Sequence, residues 1–346
     1  MSRRALIEAC LIGGAIGDSI GLPYEGLSAR RAQRWSAQGL RQCFVAGRGM
    51  ISDDTDHTVF VAQALLRSRG DVEAFRRVLA WRLRLWLLTL PAGIGLGTLR
   101  GIARLWLGLR HSGVRSAGNG AAMRSALIGA CLSDDRAARR THVSTSALLT
   151  HADPRAIDGA LAVAEVAARI AGGDWHLRPE PAAFAQAVAT AGDDAAWRAL
   201  EPDLARACTA ASPTRALCEL WNLGHGVSGY VMHSVPFALA AWFEGHGDYA
   251  KTISLCVKAG GDVDTNAAIA GALAAMVTGT DAIPREWRER WVDWPHSPRY
   301  LLALATALDG DASGVSTRFS PGLWPRNLLF LVLVLAHALR RALPPY

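Results

Sequence analysis

Lysine is nearly missing from this chain: Lys251 and Lys258 stand alone among 37 basic residues, and the rest are arginine. A planar guanidinium suits phosphate and carboxylate partners, although an arginine-rich codon bias accounts for the skew equally well. No block of five or more like charges occurs, which excludes a basic or acidic tail of the nucleic-acid-binding kind. Pairs such as Arg30-Arg31, Arg139-Arg140 and Arg340-Arg341 read as solvated surface. The six cysteines, Cys10, Cys43, Cys131, Cys208, Cys218 and Cys256, are spread singly. Without a CxxC pair there is no zinc ribbon and no thioredoxin-like motif. Free thiols, several in apolar settings, fit a reducing compartment, and a cytoplasmic protein is expected.

Alternating runs of β-branched residues are almost absent too, which argues against a sheet. Charged residues make up 19% and hydrophobic residues 51%, so the chain is not a disordered one. Long apolar runs are also lacking. The run Leu328 to Ala336 falls short of the roughly 20 residues needed to span a bilayer. Glu8 and Asp18 break the apolar stretch behind Arg3-Arg4, so a signal peptide is not indicated. No membrane span is expected.

What the chain does hold is helical pattern. Its 346 residues can bury a full core without disulfides. Ala160–Ile170 and Ala267–Val277 are rich in small apolar residues and read as central, closely packed helices. Val59–Leu66, Val72–Leu90 and Tyr300–Leu308 read as helices as well. Leu177–Pro181, Ser212-Pro213 and Asp309–Ser320 read as surface connections. One all-α domain over 1–346 is expected. Residues 321–346 form an apolar helical extension, apolar all round, packed on the domain or at an oligomer interface. The Leu343–Tyr346 end should stop that helix.

Five segments carry chemistry. Gly13–Glu25 reads GGAIGDSIGLPYE, with glycines at 13, 14, 17 and 21 on a helix face that another backbone can approach. A dinucleotide-binding loop needs a preceding strand, and none is indicated. Asp18 is taken here as part of that packing. In Ser52–Thr58 (SDDTDHT), Ser52 is a plausible helix cap and the acids favour the helix dipole. Capping does not explain three acids in four positions, Asp53, Asp54 and Asp56, which repel unless a cation lies among them. His57, at its helical offset, is expected to face away from such a site. In Gly260–Asn266 (GGDVDTN), Asp262, Asp264 and Thr265 add oxygen donors, behind two glycines that permit a sharp helix entry. Oxygen-only donors select Mg²⁺, Mn²⁺ or Ca²⁺ over zinc, and the EF-hand pattern is absent. In Ser116–Arg124 (SAGNGAAMR) a Gly-Asn-Gly turn can offer N–H groups to a phosphate. Leu149–Pro154 (LTHADP) contributes His151.

In this order, the five segments resemble the ADP-ribosylglycohydrolase family, which includes the ADP-ribosyl-acceptor hydrolases and the dinitrogenase-reductase-activating glycohydrolase. The likeness runs from Gly13 to Gly279. It implies a compact orthogonal helical bundle around a binuclear Mg²⁺ or Mn²⁺ cleft. Carried over by motif, Ser52, Asp53 and Asp54 would serve one ion. Asp262, Asp264 and Thr265 would serve the other, with Asp264 as a bridge. Gly118, Asn119, Gly120 and His151 would line the ADP-ribose cleft. Glu25 and Asp262 are the candidate acid and base, and Gly93 and Gly95 are expected beside the cleft, where their loop shapes acceptor choice. Ser52 stands where many relatives carry threonine, and Val263 also replaces a usual threonine. Ala117 stands where some carry an aromatic that can stack on adenine. The implied activity is release of ADP-ribose from an ADP-ribosylated protein or other acceptor. The alternatives are hydrolysis of another phosphorylated ribose compound, or a non-catalytic ADP-ribose-binding protein. No stable nucleic-acid complex is expected, and the C-terminal helix could join copies into a homo-oligomer.

Overall fold

The computed structural model describes residues 1–311 and 314–342. Among the described residues every regular element is a helix, with isolated β-bridges and no β-strand. The N-terminal helix, Arg3–Gly21, starts where Ser2 accepts the Ala5 N–H at 3.2 Å. From its second turn onward it is almost wholly buried. It lies against Val263–Thr278, a helix of small apolar residues once past Asp264, Thr265 and Asn266 in its first turn.

Glycine is what lets these two helices meet. A Cβ at Gly13 would stand 2.6 Å from the Gly271 carbonyl oxygen, and one at Gly17 would stand 2.1 Å from that of Ala267. At Gly21 it would fall 2.7 Å from the Asp264 Cα. Tyr249 closes the contact by donating to the Gly13 carbonyl at 2.7 Å. The glycines therefore sit inside a helix that begins before them, unlike those of a nucleotide-binding loop.

The expected helices are present with shifted ends. Asp53–Ser68 and Pro298–Leu308 contain their predicted stretches, and Pro154–Ala171 opens with proline at its first position. The helix expected over Val72–Leu90 stops at Leu88, because Pro91 disfavours helical backbone in the residue before it. Leu90 takes a left-handed φ of 58° with its side chain in solvent. Ser212-Pro213 is not a loop: Ser212 precedes and Pro213 opens the helix Pro213–Leu220.

One hydrophobic cluster runs from Leu6 to Leu323, and a smaller one holds Leu22, Met50, Ala92 and Phe330. Phe330 belongs to the C-terminal helix, Leu323–Ala342. This helix extends beyond the apolar run Leu328–Ala336 at both ends, because Arg326 and Asn327 are buried within it rather than ending it. It is buried on one face only. By length and composition alone, it and the N-terminal helix could each cross a membrane, but the latter is largely enclosed by protein. Residues 343–346, expected to end the helix, lie outside the described residues. The six cysteines are free; Cys10, Cys208 and Cys256 are buried and the others partly so.

Candidate metal centre and its cleft

The two aspartate motifs meet at the junction of the Asp53–Ser68 and Val263–Thr278 helices. Ser52 caps the first by accepting the Asp54 N–H, and its hydroxyl also donates to Asp54 Oδ2 at 2.9 Å. The second helix starts at Val263, with Asp262 at its cap position, so Asp264 and Thr265 stand in its first turn. Gly260 and Gly261, with φ of 68° and 84°, turn the chain into it. Thr265 Oγ1 then reaches Asp54 Oδ2 at 3.2 Å across 211 positions.

Asp18 joins them. One carboxylate oxygen each of Asp18, Asp54 and Asp264 lies within 4.8 Å of the others. Asp18 accepts the Ser52 N–H at 3.0 Å and the Thr55 hydroxyl at 2.5 Å, and so fixes the start of the Asp53–Ser68 helix. The sequence reading had left Asp18 to packing. The available signal was an acid set deep in the apolar part of the helix, ten residues past Glu8, where burial is costly unless the acid is used.

Burial drives these carboxyls upward, and mutual repulsion adds to it. Asp53, Asp54 and Asp264 stand well above the usual carboxylate range. Asp262 is raised, chiefly by burial. Asp18 is pushed up to about 6 by burial. Glu25 is pushed up to about 7 by burial and then by Asp262, against the pull of Arg341. Asp54 Oδ1 and Asp264 Oδ1 are buried without a hydrogen-bond partner among the described residues. Orphaned carboxylate oxygens, hydroxyls and no thiolate or imidazole make a fit for a hard divalent cation.

Asp56 takes no part, although it supplied a third of the argument for a cation site. It turns away to His296 at 2.6 Å and accepts the Trp86 indole N–H at 3.0 Å. Burial alone would raise it, but these bonds and the nearby Arg326 hold it below the ordinary carboxylate value. His57 also faces away, against the Trp86 ring and Arg124. Burial and then Arg124 keep it well below the usual histidine range.

A cleft of about 560 Å³ opens on the carboxylates, within the size range of small-molecule sites. Glu25, Asp53, Asp262, Asp264 and Thr265 line one part of it. Gly93, Gly95, Gly118, Asn119, Gly120 and His151 are among the residues that line the rest. Ser52 and Asp54 lie beneath, buried.

The Glu25 turn is pinned to the second motif by Gly26 N–H on the Gly261 carbonyl, 2.8 Å, and Gly261 N–H on that of Leu27, 2.8 Å. Asn119 amide nitrogen Nδ2 donates to Asp262 Oδ2 at 2.6 Å. Its backbone N–H goes to the Gly229 carbonyl at 3.0 Å, so this N–H is not held open for a phosphate. Arg124 is likewise turned inward. It donates to the Ser146 carbonyl at 2.8 Å, the Gly120 carbonyl at 2.7 Å and the Thr150 hydroxyl at 3.0 Å. Thr150 Oγ1 meets His151 Nδ1 at 2.9 Å, which leaves Nε2 toward the cleft wall. A Cβ at Gly97 would press to 2.8 Å from that nitrogen. Burial and Arg124 lower His151 to about 3, so the ring is neutral.

The sequence reading missed the support from behind. Arg326 of the C-terminal helix pairs with Asp293 at 2.8 Å, buried, and also donates to the Ile51 carbonyl beside Ser52. Asp293 in turn accepts the Ile51 N–H at 3.1 Å. Asn327 donates to the Thr89 hydroxyl at 2.7 Å. Arg341 donates to the carbonyls of Glu25 and Pro23.

A family model described as ADP-ribosylglycohydrolase matches residues 1–319. An uncharacterized protein of Archaeoglobus fulgidus is 30% identical over 310 residues, covering 86% of this chain and 94% of its own. The uncharacterized protein YegU of Escherichia coli is 28% identical over 301 residues, covering 80% and 89%. Among solved structures, an "ADP-ribosylglycohydrolase-related protein complex" superposes with a TM-score of 0.61 at 24% identity, over 88% of this chain and 97% of that one. That last likeness bears on the fold alone.

Proposed function

The chain belongs to the ADP-ribosylglycohydrolase family, and from that premise we propose that it is a metal-dependent hydrolase releasing ADP-ribose from an ADP-ribosylated protein or other acceptor. The observation that carries this reading is the meeting of two distant aspartate motifs, with orphaned carboxylate oxygens, at the floor of a ligand-sized cleft.

Two Mg²⁺ or Mn²⁺ ions are proposed, one held by Ser52, Asp53 and Asp54 and the other by Asp262, Asp264 and Thr265. Such ions, when bound, supply Lewis-acid chemistry at the ribose hydroxyls and at water. The remaining work falls to the chain. Glu25, raised to about 7, is poised to give a proton to the leaving acceptor atom or to take one from water at neutral pH. Asp262 is the second candidate for that role, and Asn119 fixes which of its oxygens stays free to act. His151, neutral and with Nδ1 engaged by Thr150, would turn Nε2 to a polar ligand, as donor or acceptor according to the tautomer it takes. The glycine-lined wall admits a ligand close to the backbone. Among the described residues no ring except that of His151 lines the cleft, in keeping with Ala117 at the position of an adenine-stacking aromatic. The Gly93–Gly95 loop borders the opening and is proposed to shape acceptor choice.

The test is incubation with a panel of ADP-ribosylated acceptors and free phosphorylated ribose compounds, with and without chelator, reading free ADP-ribose. Chelator-sensitive release from one acceptor class is expected. Turnover confined to free nucleotides would favour the other hydrolase reading. Activity untouched by exhaustive chelation would overturn the metal-dependent one.

A further inference from the structure

The C-terminal helix is held to the body by one face and leaves the other bare. Trp324, Leu328, Val332, Leu335 and Leu339 are 48% to 66% exposed. Their spacing of four, four, three and four residues puts them on a single helical stripe. We propose that this stripe is the docking surface for the same helix of a second copy, packed antiparallel about a twofold axis.

Three observations select that occupant. The first is anchoring. Phe330, the buried Arg326–Asp293 pair, and Asn327 on Thr89 fix the opposite face, so the helix cannot roll to hide its stripe. The second is charge. Between Trp324 and Leu339 the helix carries one charged side chain, Arg326, and it points inward. Two copies therefore meet apolar against apolar with no like charges apposed along the stripe, as an isologous contact needs. Beyond Arg326 the helix's basic residues are Arg340 and Arg341, confined to its last turn, which disfavours a lipid surface, because helices lying in the membrane interface carry basic residues along the polar face. Crossing a bilayer would strip Arg326 from Asp293. The third is area. Leu329 and Ala336 beside it are exposed as well, so the bare apolar face runs most of the length of the helix, as an interface of the standard ~800 Å² per partner requires.

The experiment is light scattering of the full-length protein after size exclusion, with sedimentation alongside vesicles of phosphatidylcholine and of phosphatidylglycerol. A mass of two chains is expected for the parent protein. Leu335→Arg and, separately, Leu328→Arg should give a one-chain mass with an unchanged far-ultraviolet circular dichroism spectrum. Both positions are exposed, so neither change should unfold the chain. A monomeric parent at micromolar concentration would overturn the proposal. So would a dimer that both variants leave intact. Vesicle binding abolished by Leu335→Arg, with a monomer in its absence, would reassign the stripe to lipid.

Discussion

At the scale of single residues, the site turns on which carboxylates have a neutralising partner. Asp56 has His296, whereas Asp54 and Asp264 each keep a buried oxygen with none. The spacing of SDDTDHT showed that acids were crowded, but not which way each would point. A one-residue step on a helix turns a side chain by about 100°, and only the packed helix decides. Asp264→Ala removes one of the three carboxylates that lie within 4.8 Å of one another. It should weaken Mn²⁺ binding by more than about 100-fold, above the 10–100-fold range of outer-sphere changes, and abolish turnover. Asp18→Asn keeps one acceptor for Ser52 and Thr55 but removes the charge. It should fall within that range, and in metal-free protein below about pH 6, where Asp18 is protonated, the weakened buried hydrogen bond should cost about 1–3 kcal/mol. Calorimetric metal titration beside thermal unfolding separates the two. Equal, small effects would place Asp264 outside the centre.

At the scale of elements, the distance between the metal motifs is set by two helices in backbone contact. Asp18 lies beside Gly17 on one, and Asp264 faces Gly21 from the other. The glycine spacing was legible in the sequence as a packing face, and so were the small residues of Ala267–Val277. Their mutual pairing was not, because nothing local joins segments so far apart. Gly17→Ala would drive a methyl into the Ala267 carbonyl and act as a wedge. The expected cost is about 3 kcal/mol, the upper end for overpacking. Metal affinity should fall as well, although no ligand is altered. An unfolding midpoint and Mn²⁺ affinity equal to the parent's would show that the helices can separate freely. The brace supplied by Arg326 and Arg341 was not legible either. Both lie in or beside apolar sequence, where an arginine reads as an interruption until its partners, Asp293 and two backbone carbonyls, are seen.

At the scale of the whole molecule, the helical class followed from periodicity and from the want of β-branched alternation. The buried acid cluster makes stability depend on pH. Glu25 and Asp18 rise from ordinary values of 4.5 and 3.8 to about 7 and about 6 on folding. A folded state that binds more protons than the unfolded one loses stability as pH rises. Metal-free protein should therefore lose thermal stability between about pH 4 and 7, and the rise in midpoint on adding Mg²⁺ should grow over the same window. Scanning calorimetry with and without chelator measures both, and a flat metal-free profile would show that the carboxyls are not linked to folding.

The meeting of the first helix with Val263–Thr278 also has a consequence in time. The hydroxyl that binds Gly13 comes from Tyr249, 236 positions later. At about 5–20 residues per second of synthesis, the first helix waits roughly 10–50 seconds for its partners. Through that interval a greasy, glycine-notched rod has no cover of its own. Its survival rests on temporary shelter by the nascent chain or a chaperone, and the protein's yield in a cell should depend on that shelter more than the stability of the finished fold would suggest.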